Sequence, residues 1–364
     1  MKLLFYIHGL TGGGAERVMA TLMNGFIEQG HLIRVIYTES LDPPVYSLDS
    51  RIEQVYMLKE FPLKSNSFLG KVYRRFWKYP AIRKEAKLYQ PDYVVSFIKA
   101  QNNDVLAALL GAGFPVIIGD HTNVDRKYRW LTKTLSNLLY PTARGITMLT
   151  VRDYNKWKNK YKHVYYMPNP CDIKQKHKGE TRNKVILAVG RVNQWEIKGF
   201  DTLIKAWSHI YNKYPDWKCQ IAGDYSEDRL YALRKVVGQK SFNSVEFIGF
   251  RSDIHDYMES CEVFCLPSRI EGMPMTLLEA MNLGCACVAF DCTTGPAEII
   301  EDGETGLLVR DQDISDLIDK LEHIISDAEL RETFRNNAPE SVKRYSTEVI
   351  LNMWNKMFIE LKKY

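Results

Sequence analysis

The sequence predicts an α/β fold made of two domains, each built on its own parallel sheet. The chain has 364 residues, which is more than one hydrophobic core usually supports. Short runs rich in Val, Ile, Phe and Tyr alternate with stretches of helical periodicity, a pattern typical of repeated βα units. Hydrophobic residues make up 45% of the chain and charged residues 26%, so we expect it to be folded nearly throughout.

The predicted strands form two groups, one in each half of the chain. In the first half they cover residues 3–7, 32–37, 93–98, 116–119, 146–149 and 164–167. In the second half they cover residues 185–189, 218–222, 245–250, 263–266, 287–290 and 306–309. Each half is therefore expected to hold a separate sheet.

A polar, charged segment near the middle, residues 167–183, is the best candidate for a domain boundary because it contains Pro168, Pro170 and Gly179. We therefore expect one domain over residues 1–168 and a second over residues 169–346. The last stretch, residues 347–364, has a helical pattern whose apolar stripe is Ile350, Trp354, Met357 and Leu361. Such a stripe requires an apolar surface to cover.

Cysteine usage and the opening segment indicate a cytoplasmic protein. The seven cysteines form no CxxC pair, so we interpret them as small core residues in a reducing compartment. The opening MKLLFYIHGL runs straight into glycines without a small-residue cleavage site, which predicts a first strand and not a signal peptide. The sequence has no run of about 18 apolar residues, so we expect no membrane span. The net charge of +5 is mild for this length, and no nucleic-acid partner is expected.

Basic and aromatic residues crowd together in the segment 59–87. Between Lys59 and Lys87, only Glu60 and Glu85 oppose the positive charges. The other members of the cluster are Lys64, Lys71, Arg74, Arg75, Lys78, Arg83 and Lys84, with Phe61, Phe68, Phe76 and Trp77. An amphipathic segment of this kind can rest on an anionic membrane surface. The alternative, a solvated helix face, is equally open at this point.

The motif HGLTGGGAERV, residues 8–18, directly follows the first predicted strand and precedes a helical pattern. Glycines there let backbone amides approach an anion, and a helix N-terminus adds partial positive charge. A diphosphate would fit such a loop. The spacing is not GxGxxG, which disfavours a dinucleotide site, and a plain tight turn stays an alternative.

Two cations lie at the predicted carboxyl edge of the second sheet. Arg191 follows strand 185–189 in the motif VGRV, and Lys198 in IKGF opens the next helical stretch. Folds of this kind bind ligands at that edge. The two cations could clamp a diphosphate and stabilise the charge that grows on it as a leaving group. The alternative is that both are ordinary surface charges.

The motif SRIEGMPMTLLEAMNLG, residues 268–284, carries two carboxylates eight positions apart. Glu271 is predicted on a loop after strand 263–266, and Glu279 one to two turns into a helix. Carboxylates in these places could accept hydrogen bonds from hydroxyl groups while the intervening amides hold a phosphate. The alternative is a capping carboxylate followed by a glutamate on the helix surface.

In the first half, the motif GDHTN places His121 just past a strand end, again on the expected ligand-binding edge. This imidazole could hydrogen-bond a sugar hydroxyl or a phosphate. A structural role for His121 stays open, and the same is true of His8 at the end of the first strand.

Taken together, these motifs resemble family 4 of the glycosyltransferases over nearly the whole chain. The motifs that carry the resemblance are GGGAERV, GDHTN, NPCD, VGR followed by KG, AGD, IGF, the E-x7-E pair, GPAEII and DGETGLLV, in that order. The resemblance implies the GT-B fold, in which two Rossmann-like domains face a cleft and the last helix crosses back onto the first domain. It also implies that the first domain binds the acceptor and the second the nucleotide sugar.

By this resemblance, Arg191 and Lys198 bind the donor diphosphate, Glu271 holds hydroxyls of the transferred sugar, and Glu279 binds the ribose. The bulky pair Trp195 and Glu196 stands before Lys198, where many relatives have smaller residues.

The resemblance further implies that Gly13 and Gly14 approach the donor phosphate and that His121 contacts the donor sugar near the reacting carbon. Met275 and Thr276, at the start of the helix between the two glutamates, join the donor-binding set. The family is retaining and uses no metal or cofactor. Its proposed mechanism employs no protein nucleophile, because the leaving phosphate oxygen helps to deprotonate the acceptor.

Similar enzymes with the GGAER opening often extend polyprenyl-diphosphate-linked oligosaccharides in bacteria. Together with segment 59–87, this resemblance suggests a lipid-linked glycan acceptor at the cytoplasmic face of a membrane. A UDP-sugar is the expected donor because UDP is common among relatives. Two alternatives stay open: a nucleotide-sugar epimerase and a non-catalytic scaffold that binds nucleotide sugars. The E-x7-E pair disfavours the epimerase, and the joint presence of Arg191, Lys198, Glu271 and Glu279 disfavours the scaffold.

Overall fold

The computed structural model describes residues 1–38, 43–57, 68–121, 124–125, 129–173, 175–176 and 181–363, with only the backbone in 68–76. The chain divides into two compact units. Unit 1 comprises Met1–Pro170 and Thr347–Tyr364, and unit 2 comprises Cys171–Ser346. Gly179 of the expected boundary segment lies outside the described residues.

Unit 1 is a seven-stranded parallel sheet with helices packed on it. Its strands are β1 (Lys2–Ile7), β2 (Leu32–Tyr37), β3 (Glu53–Tyr56), β4 (Tyr93–Phe97), β5 (Val116–Asp120), β6 (Gly145–Met148) and β7 (Val164–Tyr166). Its helices are α1 (Gly14–Glu28), α2 (Phe68–Tyr89), α3 (Lys99–Leu109), α4 (Trp130–Leu139) and α5 (Val151–Trp157), joined by the C-terminal helix Thr347–Leu361.

Unit 2 is a six-stranded parallel sheet. Its strands are β8 (Asn183–Val189), β9 (Lys218–Ala222), β10 (Glu246–Gly249), β11 (Cys261–Leu266), β12 (Ala286–Phe290) and β13 (Leu307–Val309). Its helices are α6 (Trp195–Lys198), α7 (Phe200–Ile210), α8 (Glu227–Val237), α9 (Gln239–Phe242), α10 (Ile254–Ser260), α11 (Met275–Asn282), α12 (Pro296–Ile299), α13 (Ile314–Ser326) and α14 (Ala328–Ser341). The C-terminal helix of unit 1 is accordingly α15.

Both sheets have the same winding. The strand order is β3-β2-β1-β4-β5-β6-β7 in unit 1 and β10-β9-β8-β11-β12-β13 in unit 2. The order therefore reverses between β1 and β4 in the first sheet and between β8 and β11 in the second. Open parallel sheets bind ligands beside such a switch point, outside the carboxyl ends of the strands.

All twelve strands expected from the sequence are present, with bounds that differ by at most two residues. They were recognisable because strands covered on both faces are continuous apolar runs: every residue of β4, β5 and β12 is buried. The strand β3, whose sequence is EQVY, was not expected. It is a short edge strand with two exposed and two half-buried residues, so it has no apolar run to mark it.

The apolar stripe of α15 is buried in unit 1. Trp354 is 2% exposed, and its ring centroid lies 6.3 Å from that of Phe26 on α1. The Tyr93 hydroxyl donates a hydrogen bond to the Phe358 carbonyl (3.0 Å), which ties α15 to the start of β4. The surface that this stripe was expected to require is therefore α1 together with the adjoining sheet.

The seven cysteines are all buried and form no disulfide, as expected for core residues. Among the described helices, none is long and apolar enough to cross a membrane.

Candidate functional site

Lys198 is positioned by a left-handed turn beside the switch point of unit 2. It is the last residue of α6, and Gly199 ends that helix with φ 68°. A Cβ at Gly199 would stand 1.7 Å from the carbonyl oxygen of Pro267, so only glycine fits there. The turn between α6 and α7 is thereby held against the loop that follows β11.

An ion pair in this region joins Lys198 to Glu271. The Lys198 Nζ lies 2.8 Å from Glu271 Oε1, and the two side chains are 22% and 11% exposed. One residue follows β8 and the other follows β11, so the ion pair spans the switch point. In the absence of a ligand each charge satisfies the other, and both remain reachable from solvent.

Arg191 lies near this pair in the chain. It follows β8 after Gly190, and a Cβ at Gly190 would lie 3.4 Å from Cδ of Lys198. The Arg191 residue is exposed, and no ion pair or hydrogen bond joins its guanidinium to any residue that the structure describes. Two cations and one carboxylate therefore gather at one strand edge.

A clamp formed by Arg269 fixes this arrangement. Its guanidinium makes two hydrogen bonds to the Asp201 carboxylate (2.7 and 2.8 Å) and a third to the Thr202 hydroxyl (2.8 Å). It also donates to the carbonyl of Glu196 in α6 (2.7 Å). A bidentate Arg–carboxylate pair is both strong and directional. Arg269 thus joins the Lys198 corner to the Glu271 loop.

The Glu271 loop is held from its other side by residues that follow β12. The Thr294 hydroxyl donates to the Glu271 carbonyl (2.5 Å). A Cβ at Gly295 would stand 2.7 Å from the carbonyl oxygen of Gly272. The backbone around Glu271 is therefore rigid while its carboxylate faces Lys198.

Sequence reasoning missed Arg269, Asp201 and Thr294. The partners Arg269 and Asp201 are 68 positions apart, so no local pattern joins them. The one available signal was the position of Arg269 between strand β11 and Glu271, on the edge already suspected.

Glu279 and the first turn of α11 lie deeper than Glu271. Met275 and Thr276 are half-buried, whereas Glu279 is 2% exposed with its Oε2 3.5 Å from His255 Nε2. A helix-surface role for Glu279 is therefore wrong. The α11 N-terminus also lacks a side-chain cap, which excludes Glu271 as its capping residue. The structure pairs Glu279 with His255 on α10.

In unit 1, the glycine loop after β1 does hold an anion, and that anion belongs to the chain itself. The backbone N–H groups of Thr11, Gly12 and Gly13 donate to Glu16 Oε2, at 2.5, 2.9 and 3.1 Å. Gly13 caps α1, and Gly14 is its first residue. The Gly13 amide expected to approach a donor phosphate is thus already engaged. The signal for this was present as the spacing of a capping box, with Glu16 three residues after the cap.

His121 follows β5 and stacks on Phe97 at the end of β4. The ring centroids are 3.9 Å apart and the planes are inclined by 30°. Burial lowers the pKa of His121 to about 3, so the imidazole is neutral near neutral pH. Its Nδ1 is buried and has no hydrogen-bond partner in the described part of the chain. A neutral imidazole can donate one hydrogen bond and accept another, but it supplies no charge.

A buried ion pair supports the His121 strand end. Lys99 Nζ lies 3.1 Å from Asp120 Oδ2, and the two side chains are 8% and 0% exposed. The backbone between β4 and Lys99 is strained, since Ile98 adopts φ 74°. A β-branched residue rarely takes this conformation, and strain of this kind concentrates at functional sites.

His8 ends β1 on the other side of β4, beside Asp104. His8 Nε2 lies 3.6 Å from Asp104 Oδ2, and Lys78 from α2 makes a short ion pair to the same oxygen. Burial alone would raise the pKa of Asp104, but its contacts with His8 and Lys78 lower it on balance. The structure therefore places His8 beside the carboxylate of Asp104, which the sequence had not singled out.

Only part of segment 59–87 is described. Residues 59–67 and the side chains of 68–76 lie outside the described residues, and these include Lys59, Glu60, Phe61, Lys64, Phe68, Lys71, Arg74, Arg75 and Phe76. Lys78 and Arg83 are engaged within unit 1, Arg83 through the carbonyls of Ala108 (3.0 Å) and Leu110 (2.5 Å). Lys84 and Lys87 are exposed.

Within the described residues, no three His, Cys, Asp or Glu side chains are grouped so that they could hold a metal ion. The groups that the site offers are the cations Arg191 and Lys198 and the Glu271 carboxylate. Such a set can bind and stabilise a diphosphate and orient hydroxyl groups.

Comparison with known proteins agrees with this capacity. Residues 171–341 match the family model for glycosyl transferases group 1, and residues 12–175 match the model for glycosyltransferase family 4. An uncharacterized glycosyltransferase of Haemophilus influenzae is 30% identical over 359 residues, covering 97% of this chain and 98% of that protein.

A second relative comes from Campylobacter jejuni and is 28% identical over 367 residues, with 100% and 99% of the two chains covered. It is named GalNAc-alpha-(1->4)-GalNAc-alpha-(1->3)-diNAcBac-PP-undecaprenol alpha-1,4-N-acetyl-D-galactosaminyltransferase.

Among solved structures, TarM superposes with a TM-score of 0.80 at 15% identity, covering 98% of each chain. A mutant of Staphylococcus aureus TarM in complex with fondaparinux, alpha-GlcNAc-glycerol and UDP gives a TM-score of 0.76, also at 15% identity, with 98% and 99% covered. These likenesses confirm the GT-B fold class. Together with the two family models and the Haemophilus relative, they show that this chain belongs to the family 4 glycosyltransferases.

Proposed function

We propose that this glycosyltransferase moves a hexose or N-acetylhexosamine, with retention of configuration, from a UDP-sugar to a lipid-linked glycan acceptor in bacterial polysaccharide or oligosaccharide assembly. The observation that carries the proposal is the Lys198–Glu271 pair, 2.8 Å apart at the switch point of unit 2, with Arg191 beside it. A cation next to a carboxylate matches a sugar diphosphate, which offers phosphate oxygens to the one and hydroxyls to the other.

In the proposed reaction, the bond between the anomeric carbon and the diphosphate oxygen breaks, and a bond to the acceptor oxygen forms on the same face of the sugar. The acceptor proton passes to the departing phosphate oxygen. Lys198 and Arg191 stabilise the negative charge on the leaving diphosphate, and Glu271 holds sugar hydroxyls. No protein nucleophile and no metal take part, an expectation that rests on the family resemblance.

Donor binding drives a partner exchange at the pair. A diphosphate that approaches Lys198 competes with Glu271 for its ammonium, which leaves the carboxylate ready to accept from hydroxyl groups. Because both side chains are mostly buried, each charge is stabilised by a hydrogen-bonding partner, and leaving either one without a partner would cost free energy. The roles of Glu279 toward the ribose, of Met275 and Thr276 toward phosphate, and of Gly13, Gly14 and His121 toward the donor are further parts of the proposal.

The acceptor class rests on the Campylobacter relative, whose name describes transfer to an undecaprenol-diphosphate-linked glycan. The choice of UDP is supported by the TarM complex, which contains UDP. Peripheral contact with the cytoplasmic face of a membrane through segment 59–87 belongs to the same proposal. Among the described cations of this segment, Lys84 and Lys87 are the exposed ones.

Two variants test the site. Lys198→Ala and Glu271→Ala should each lower kcat/KM by about 100-fold or more, because an electrostatic contact to the leaving group or the sugar is lost. Lys198→Ala should also weaken binding of UDP alone. The matched controls are Lys213→Ala and Glu322→Ala, which break an exposed Lys–Glu pair of similar length (3.0 Å) in the same unit.

The measurement is steady-state nucleotide release with each variant, alongside its thermal unfolding midpoint. The controls should keep full activity. If Lys198→Ala or Glu271→Ala turned over like the wild type, the assignment of that residue would be abandoned. Addition of EDTA should leave the wild-type rate unchanged, and a loss of rate restored by a divalent cation would contradict metal independence.

A further inference from the structure

A cavity of about 490 Å³ opens at the amino edge of the unit 1 sheet, the edge opposite to His8 and His121. Its wall is assembled from the starts of successive strands. Tyr93 begins β4, Arg144 immediately precedes β6, and His163 immediately precedes β7. The end of α15 closes the cavity through Leu361 and Lys362. A volume of this size is typical of a pocket for a small molecule.

The charge of this pocket has one sign. Arg144, Lys162 and Lys362 line it together with His163, and none of its lining residues carries a carboxylate. Within the described parts of the chain, no acidic side chain pairs with Arg144, Lys162 or Lys362. Like charges gathered around a concave surface repel one another and raise the local concentration of anions.

The Arg144 guanidinium is held in place by a hydrogen bond. The Arg144 Nη2 donates to the Leu361 carbonyl (2.6 Å), and its backbone N–H donates to the Val116 carbonyl (2.7 Å). The carbonyl of His163 accepts from the N–H of Ile146 (2.9 Å). The guanidinium is thus oriented before any ligand arrives, which reduces the entropy lost on binding.

The rest of the lining is apolar or aromatic. Phe114, Pro115 and Pro141 contribute to the wall. Tyr93 also lines the pocket, and its hydroxyl donates to the Phe358 carbonyl (3.0 Å). This composition suits a ligand that combines an anionic group with an apolar or planar part.

We propose that this amino-edge pocket binds a phosphate-bearing ligand, with the phosphate on Arg144, Lys162 and Lys362 and the apolar part against Phe114 and Pro115. Phosphate suits the pocket because several cations converge on one small volume, and a guanidinium recognises phosphate oxygens in pairs. The pocket lies at the edge of the unit 1 sheet opposite to His121 and is separate from the proposed function. The ligand is either a soluble phosphate compound or the headgroup of a phospholipid, and both present the same chemistry.

The test compares the wild type with Lys162→Glu/Lys362→Glu. Both lysines are exposed, so the double variant should fold and keep the wild-type unfolding midpoint. The matched control is Lys235→Glu/Lys240→Glu, an equal charge change at exposed positions of unit 2. Three probes are titrated: inorganic phosphate, uridine 5′-monophosphate, and phosphatidylcholine vesicles with and without phosphatidic acid.

At least one probe should bind the wild type and the control with equal affinity. Its affinity for Lys162→Glu/Lys362→Glu should be lower by about tenfold or more, since two charge-assisted contacts become repulsive. Uridine 5′-monophosphate that binds at the donor site of unit 2 should bind equally to all three proteins, so it does not contribute to the difference between them. Binding of the soluble probes identifies a small-molecule pocket, and binding only of phosphatidic acid vesicles identifies a lipid headgroup site. The proposal is overturned if no probe binds, if the double variant binds like the wild type, or if the control loses as much affinity.

Discussion

The Lys198 ammonium and the Glu271 carboxylate show how single residues acquire a function from their neighbours. Either charge alone would be an ordinary surface group. Gly199 turns the chain so that Lys198 comes under the loop after β11, and Thr294 fixes the backbone of Glu271. The two side chains then meet at 2.8 Å with little exposure, where the local electrostatic field is stronger than in water.

His121 supplies a prediction about pH. Its pKa falls from 6.5 to about 3 on folding because the ring is buried. Between these values the unfolded chain holds a proton on this imidazole and the folded chain does not, so unfolding takes up a proton and stability falls as the pH falls. From pH 6.5 to pH 5 this amounts to about 2 kcal/mol.

His121→Gln cannot titrate in this range, so its free energy of unfolding should depend less on pH than that of the wild type. Urea unfolding near neutral pH and at mildly acidic pH measures the difference between the two dependences, which removes contributions from other groups. His209→Gln, at an exposed histidine, is the control and should follow the wild type. Equal pH dependence in the wild type and His121→Gln would show that the ring is not buried in its neutral form.

Among the short elements, the α6–α7 corner is the one on which the site depends most. Helix α6 has four residues, which is too short to be stable through its own hydrogen bonds. Arg269 stabilises it through Asp201, Thr202 and the Glu196 carbonyl. The geometry of Lys198 is thus set by an arginine on a different loop.

Arg269→Lys keeps the charge and loses the planar fork, so the corner should loosen and Lys198 should be displaced. We expect kcat/KM to fall about tenfold, with most of the loss in donor binding, because a shift of about 1 Å at a positioned group is costly. The control is Arg251→Lys, which alters a bidentate pair with Asp253 on the surface of the same unit. If both variants kept wild-type kinetics, Arg269 would have a structural role only.

How far the sequence predicts the elements depends on burial and on local spacing. Strands covered on both faces are recognisable as apolar runs, while β3 carries two exposed residues and is not. Arg191, Lys198 and Glu271 were identifiable because each follows a predicted strand of the second sheet. Arg269–Asp201 and His255–Glu279 were not, since each contact joins residues far apart in the chain. The occupation of the glycine loop by Glu16 required only the spacing of a capping box.

At the scale of the whole molecule, the last helix, α15, packs in unit 1, so the end of the chain belongs to that unit. Trp354 lies against Phe26, Phe97 and Phe358, with ring centroids 6.3, 6.2 and 5.8 Å away. The chain therefore leaves unit 1 after Pro170 and returns to it at Thr347. Unit 1 cannot complete its core from the first 170 residues alone.

Trp354→Ala should destabilise unit 1 by about 3–5 kcal/mol, since a large buried ring is removed from a packed core. Native-state hydrogen exchange should show the loss of protection in unit 1, with unit 2 largely unaffected. Ile359→Ala on the same helix is the control, because Ile359 is 63% exposed and its truncation should cost about 0.5 kcal/mol or less. Equal loss of protection in both units would contradict the assignment of α15 to unit 1.

The central claim concerns the reaction. The direct measurement incubates the wild type and Glu271→Ala with a panel of UDP-, GDP- and ADP-sugars and with polyprenyl-diphosphate-linked and simple sugar acceptors. It then detects both the nucleoside diphosphate and the glycosylated product. We predict that the wild type alone releases UDP, that release requires the lipid-linked acceptor, and that the new linkage retains the configuration of the donor. Donor binding without release or transfer across the panel would contradict this account and favour a non-catalytic sugar-nucleotide-binding protein.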